Sequence, residues 1–252
     1  MNKTLAKSIN ILNYLSDTIE GKTISEISTE LDIPKSSVAD ILSTLEKFDY
    51  ISKKNLNNKK YTIGFNLLRL ANKFYSTYGN ASILLNDLKN RCHATILYSI
   101  REKDCVCYIL KFEYNTLKIN TPEIGERNEL YYSGTGKAIL AAESEIFIRQ
   151  YMERVKFSPR TKNTIITKEA LYKEIENIRK NGYSVDNEEG CEGIYCIACP
   201  IYDYRNEVIG AINIIKNIEE KEEGKDKKNI KQLTETALKI SKLFGYSKDY
   251  LY

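Results

Sequence analysis

Apolar residues recur along the first quarter of the chain at three- and four-residue steps. Ala6, Ile9, Leu12 and Leu15, with Ile11 beside them, mark one helical face; Ile24, Ile27 and Leu31 mark a second; Val38, Ile41, Leu42, Leu45 and Phe48 mark a third. Between the second and third stands Asp32-Ile33-Pro34. Pro34 has no amide proton to donate but fits the first turn of a helix, so the spacing predicts two short helices meeting at a tight turn. Thr23 and Glu26 have capping-box spacing, which starts the earlier of the two, after a turn at Gly21-Lys22. The pair reads as a helix-turn-helix. Its second helix opens with Lys35, Ser36 and Ser37, where free amides and the positive dipole end favour phosphate; such a helix fits a major groove.

Past Phe48 the period becomes that of strands. Tyr50-Ile51 and Tyr61-Thr62-Ile63 are β-prone, and the stretch SKKNLNNKK between them carries Lys53, Lys54, Lys59 and Lys60 with no acid. A basic turn between strands, directly after a helix-turn-helix, is the pattern of a β-wing whose lysines release counterions from the DNA backbone. A small helical domain with a solvated lysine hairpin is the plainer alternative. From Phe65 to Tyr75 a helical period returns through Phe65, Leu67, Leu68, Leu70, Ala71 and Phe74, and this stretch reads as a linker helix. Gly79-Asn80 is expected to break it before Ala81 to Cys92 resumes a helix. The expected division is 1–63 for a winged helix-turn-helix, 64–78 for the linker and 79–252 for a second domain.

In that second domain ATILYSI and CVCYILKFE flank REKD as a hairpin, and TLKIN is a further short strand ending before Pro122. Lys168 to Lys180 is an amphipathic helix ended by Gly182. Strand GYSVD, the acidic turn NEEGCEG, and the runs IYCIACPIYDY and EVIGAINIIK follow, the last two pairing about Arg205-Asn206. Glu219 to Lys228 reads as a solvated mixed-charge loop, and Ile230 to Phe244 as a closing helix. Helices flanking a mostly antiparallel sheet make the fold α+β, in an order similar to small-molecule sensor domains of the GAF type.

Composition narrows the classes. The 252 residues are 42% apolar and 29% charged, ordinary for a globular chain of two modest domains. No apolar run is long enough to span a bilayer, and MNKTLAKSIN lacks a signal peptide's apolar core, so a cytoplasmic protein with no membrane partner and reduced cysteines is expected. A net charge of +4 adds little to the local lysine cluster.

Enzymatic chemistry finds little material. The single histidine, His93, adjoins Cys92, and neighbours on a strand face opposite ways, so no catalytic dyad and no enzyme is expected. The segment Ser133-Gly134-Thr135-Gly136-Lys137-Ala138 leads into a helix. It lacks the Walker spacing and serves either packing or recognition of a small organic anion by turn amides. Cys105, Cys107, Cys191, Cys196 and Cys199 admit a metal- or thiol-sensing alternative. The odd separation of Cys196 and Cys199 on one strand, however, points them apart. Neither a metal site nor a cofactor is expected.

The segments LAKSINILNYLS, ISEISTELDIPKSSVADILSTLEKFDYI, YTIGFNLLRLA, SGTGKAILA, NTIITKEALYKEIENIRKNGYSVDNEEGCEGIYCIACPIYD and EVIGAINII together resemble the isocitrate lyase regulator (IclR) family of bacterial transcription factors, over nearly the whole chain. The resemblance implies a winged helix joined by a linker helix to an effector-binding domain. It also implies homodimers or dimers of dimers on palindromic double-stranded operators. Carried over by position, Gly134, Thr135, Asp186, Ile194, Cys196 and Asn213 form the effector pocket. Asp40 stands where the family often has arginine on its recognition helix, and it would accept only from a base amino group such as cytosine's. Tyr131-Tyr132 and Ile215 replace smaller or polar residues, which points to a larger or aromatic organic acid. The expected function is a transcriptional regulator, with Lys35, Ser36, Ser37, Asp40 and Thr44 on the recognition helix, Lys53, Lys54, Lys59 and Lys60 along the wing, and an organic acid changing its operator affinity.

Overall fold

The computed structural model describes residues 2–55, 59–114 and 121–251, with positions 55 and 73–75 described by their backbone only. Two compact units form, Met1–Tyr78 and Gly79–Tyr252.

The first unit holds α1 (Lys3–Ser16), α2 (Ile24–Glu30), α3 (Lys35–Lys47), β1 (Ile51–Asn55) and β2 (Lys60–Ile63). The three apolar faces read from the sequence meet in one core, in which Ile11, Leu15, Ile27, Val38 and Leu42 are wholly buried. Both halves of the capping box are made: Glu26 N donates to Thr23 Oγ1 at 3.3 Å, and Thr23 N donates to Glu26 Oε2 at 2.7 Å. At the turn, Asp32 takes a left-handed φ of 51°, and the Ser28 hydroxyl closes the loop by donating to Ile33 O at 2.6 Å. The wing strands are antiparallel, with Ile51 opposite Ile63 and Lys53 opposite Tyr61; the tip, 56–58, lies outside the described residues.

Lys22 does more than turn the chain. Its amide and carbonyl pair with Tyr61 at 2.9 and 2.8 Å, adding a bridge to the wing's edge. That approach needs Gly21, whose φ is +75° and where a Cβ would sit 2.7 Å from Tyr61 O.

The expected helix break at Gly79-Asn80 needs correction. One helix, α4 (Asn66–Cys92), runs without a break through Gly79-Asn80. A glycine inside a helix costs only about 1 kcal/mol relative to alanine. The buried face of Ala81, Leu85, Leu88 and Cys92 that follows holds the helix together. Phe74, counted above on the linker's apolar face, is among the positions described by backbone only.

The second unit contains a six-stranded antiparallel sheet, ordered β5-β4-β3-β8-β7-β6. Its strands are β3 (Thr95–Glu102), β4 (Cys105–Phe112), β5 (Arg127–Glu129), β6 (Ser184–Asn187), β7 (Ile194–Tyr202) and β8 (Val208–Asn217). The helices are α5 (Gly134–Ala142), α6 (Glu145–Arg154), α7 (Lys168–Asn181) and α8 (Glu223–Leu243). All nine residues of β7 are buried, because α5 and α8 both pack against it, and α7 lies against α5. Gly182 ends α7 in the left-handed conformation, φ 83°, with its amide on Ile178 O. The β3–β4 and β7–β8 hairpins form as expected, and the expected TLKIN strand falls outside the described residues.

The charged loop is mostly helix. After a short 3-10 turn at Ile218–Glu220, α8 begins at Glu223, and Lys227–Glu223 is an i,i+4 ion pair along its first turns. Asp226, Asn229, Leu233, Thr236, Ala237 and Ile240 carry a buried face at helical spacing. Its first two positions are polar, which hid the helix start.

Candidate functional site

On the DNA-reading candidate, α3 begins after Pro34 without any side-chain cap, so its first amides are free of an internal acceptor. Lys35, Ser36, Asp40 and Thr44 are exposed and Ser37 is half-buried. Ser43 and Lys47 extend the same exposed stripe, and the three- and four-residue steps from Ser36 and Asp40 were the signal for them. Thr44 Oγ1 is engaged with its own helix, donating to Asp40 O at 3.0 Å. Of the wing lysines, Lys53 Nζ is 2.7 Å from Glu46 Oε2 on α3, and Lys54 Nζ donates to Ile19 O at 2.6 Å. Lys59 is exposed and Lys60 half-buried.

In the second unit a cavity of about 450 Å³ opens between the start of α5 and the face of β6, β7 and β8. Strand register builds its floor: Asp186 pairs with Cys196, and Cys196 with Ile215, so three adjacent strands present one row of side chains. Gly134, Asp186, Ile194, Cys196 and Asn213, all expected in the pocket, line it together. Gly134 is required there, since a Cβ would lie 2.7 Å from Cys196 Sγ. Thr135 is the exception. As the second residue of α5 it is wholly buried and does not line the cavity, and its Oγ1 makes no hydrogen bond of good geometry. Of the tyrosine pair, Tyr132 lines the cavity, whereas Tyr131 is buried and exchanges hydrogen bonds with Ser158.

The polar groups of the floor are largely spoken for. Asn213 accepts from Leu97 N at 3.0 Å and donates to Cys196 Sγ at 3.2 Å. Asp186 Oδ1 accepts from Glu189 N at 2.7 Å and from Gly190 N at 3.4 Å. Burial pushes the Asp186 carboxyl up to about 6, against the pull of Lys137 and of the amides of Glu189, Gly190 and Gly134. The N-terminal end of α5 therefore already faces an internal carboxylate. Its third amide, Gly136 N, is taken by Ser133 Oγ at 3.1 Å.

Two features were missed. Lys137, read only as part of the glycine-bearing turn at the helix start, is wholly buried, with Nζ 2.5 Å from Glu189 Oε1, 3.0 Å from Glu174 Oε1 and 2.6 Å from Val185 O. Burial acts to lower its pKa, but Glu189 and Glu174 outweigh it and the net shift is upward. Arg160, on the loop after α6, lines the cavity with its guanidinium 5.5 Å over the Tyr132 ring. A lysine and an arginine among many carry no positional signal in one sequence.

The cysteines are scattered. Cys196 faces the pocket, while Cys199, on the opposite face of β7, lies 3.6 Å from Thr234 Oγ1. Burial pushes the Cys92 thiol up to about 11 and Cys199 up to about 12, and drives Cys196 higher still, so at neutral pH these three are thiols rather than thiolates. Among the described residues no three His, Cys, Asp or Glu side chains converge on a metal position. No helix of the described residues is long and apolar enough to cross a membrane.

The IclR helix-turn-helix family model matches residues 4–54, and the model of the bacterial transcriptional regulator IclR C-terminal domain matches residues 78–242. The HTH-type transcriptional regulator KdgR of Escherichia coli is 30% identical over 248 residues, covering 96% of this chain and 93% of that protein. The crystal structure of Thermotoga maritima IclR superposes with a TM-score of 0.87 at 28% identity, covering 98% of this chain and 100% of that one. An IclR homologue from Microbacterium hydrocarbonoxydans, solved in complex with 4-hydroxybenzoate, shares the fold at a TM-score of 0.79 and 17% identity, over 97% and 100% of the two chains. A winged helix-turn-helix, a sensor-like α+β unit and both family matches converge: the chain belongs to the IclR family and is a DNA-binding transcriptional regulator rather than an enzyme.

Proposed function

We propose that this regulator reads a palindromic operator as a homodimer or a dimer of dimers, and that a small organic acid bound in the cavity beside α5 changes its operator affinity. The observation that carries the reading is the row Asp186–Cys196–Ile215 closed over by Gly134: a concave, ligand-sized site with polar and charged groups along its wall. The bound 4-hydroxybenzoate of the Microbacterium homologue, an aromatic carboxylate, supports an organic-acid class of ligand for the same fold. On the DNA side, the uncapped start of α3 supplies amides to a phosphate, Lys35, Ser36, Ser37 and Asp40 meet the major groove, Thr44 reaches a phosphate, and Lys53, Lys54, Lys59 and Lys60 follow the backbone.

A ligand alters DNA affinity only by favouring one state of the protein over another, so occupancy acts through α4, the helix that enters both units. The test is selection of bound fragments from genomic DNA with and without a panel of organic acids. Enrichment of a palindromic sequence that one acid abolishes or strengthens supports the reading. Binding without sequence preference, or indifference of the selected site to every acid, overturns it.

A further inference from the structure

The charged groups around the cavity are unevenly matched. Its lining holds three acids, Glu123, Glu126 and Asp186, and one cation, Arg160. Glu123 is paired with Lys111. Six other arginines of this unit, at 91, 101, 127, 154, 179 and 205, each hold a carboxylate. Among the described residues of this unit Arg160 and Arg149 hold none, and of these two only Arg160 lines the cavity.

Arg160 is nonetheless fixed in place. The amides of Arg160 and Thr161 both donate to Thr164 Oγ1 at 2.9 Å. The hydroxyls of Thr161 and Thr164 in turn donate to the carbonyls of Glu188 and Glu189 at 2.6 and 2.7 Å, tying this loop to the turn that follows Asp186 and β6. The Tyr132 ring beneath the guanidinium orients it. A free guanidinium held at a cavity wall is a preorganised fork for a carboxylate.

The alternative seat for a ligand carboxylate, the start of α5, is occupied. Asp186 faces the Gly134 amide there, and a second carboxylate at that point would meet the first. Asp186 instead has acceptor capacity left on Oδ2. Gly190, which bears no side chain, leaves the approach open, since a Cβ would come within 3.5 Å of Oδ2 and 3.3 Å of Tyr132 Cδ2.

Resting on the reading of this cavity as the effector site, we propose that Arg160 is its anion-receiving residue and that the ligand is a hydroxylated organic acid, carboxylate on Arg160 and a hydroxyl on Asp186. Asp186 then discriminates against acids without a hydroxyl, and Arg160 against neutral alcohols of the same skeleton.

The test is thermal shift and calorimetry on the full chain with matched probes: gluconate, glucitol and hexanoate; 4-hydroxybenzoate, 4-hydroxybenzyl alcohol and benzoate. At least one hydroxylated acid is expected to raise Tm, with its neutral and dehydroxylated counterparts at least tenfold weaker. Arg160→Gln weakens that acid at least tenfold, Arg160→Lys less. Arg160 is exposed, so both variants keep the Tm of the ligand-free protein. No response to either hydroxylated acid, an equal response to a counterpart, or Arg160→Gln binding within twofold of wild type overturns the proposal. A cavity-filling Ile215→Trp separates two failures. If binding survives Arg160→Gln but not Ile215→Trp, only the role of Arg160 falls; if it survives both, the cavity is not the effector site.

Discussion

Lys137 Nζ lies 2.5 Å from Glu189 Oε1, and the lysine is wholly buried. Beside them stand Glu174 and Asp186, so one buried cation serves three carboxylates, and among the described residues Glu189 Oε2 has no hydrogen-bond partner. The pair joins the first turn of α5 to the turn after β6, the two segments that frame the cavity. Removing Lys137 leaves Glu189 buried without its cation. Lys137→Met is expected to cost about 3–5 kcal/mol in urea unfolding, and Lys137→Met/Glu189→Gln distinctly less. A single variant as stable as the double would remove this coupling from the account.

Asp186 imposes a pH dependence of definite sign. Its folded pKa, about 6, stands above the ordinary carboxyl value of 3.8, so between these values the native state holds more protons than the unfolded chain. Its contribution is thus most favourable at low pH and is lost as pH rises through about 6. Asp186→Asn does not titrate there. The Tm of the variant minus that of wild type is expected to increase from pH 4 to pH 7 and then level off. A difference that falls over this range contradicts the assignment.

Glu46 and Lys53 link α3 to the wing across 2.7 Å, and Glu46 raises the lysine's pKa through that hydrogen bond. On the proposed DNA face the carboxylate competes with phosphate for the ammonium. Glu46→Gln is therefore expected to tighten binding to all duplexes a few-fold at low salt and to steepen the slope of log Kobs against log salt by up to about one. Lys59→Ala, removing an exposed wing lysine, flattens the slope by about one. Fluorescence anisotropy over a salt series reads both. An unchanged slope removes the residue concerned from the interface.

Gly134 sits so close to Cys196 that a methyl group has no room. Gly134→Ala is expected to destabilise by about 1–3 kcal/mol and to reduce the cavity. Cys196→Ala in the same chain recovers part of the loss by removing the sulfur. Double-mutant thermal unfolding measures this coupling, and strict additivity would show that the strain lies elsewhere.

The local elements were legible in the order of residues. Apolar spacing gave the cores of α1, α2 and α3, Thr23 and Glu26 gave the cap, Gly182 gave the end of α7, and alternating β-prone runs gave the hairpins. These depend on neighbours within a few residues, which a linear reading contains. It erred where a local signal was weak and a distant one strong. Gly79-Asn80 breaks helices by preference, yet the buried face from Ala81 to Cys92 carries α4 through. The charges after Glu219 suggested a loop, yet α8 buries Asp226 and Asn229 against the sheet unit. The folded arrangement alone set the burial of Lys137 and Thr135, rested Lys53 on Glu46, and brought Arg160 to the cavity. Each of those outcomes is set by groups far apart in the chain, and burial and charge pairing act through space rather than along the sequence.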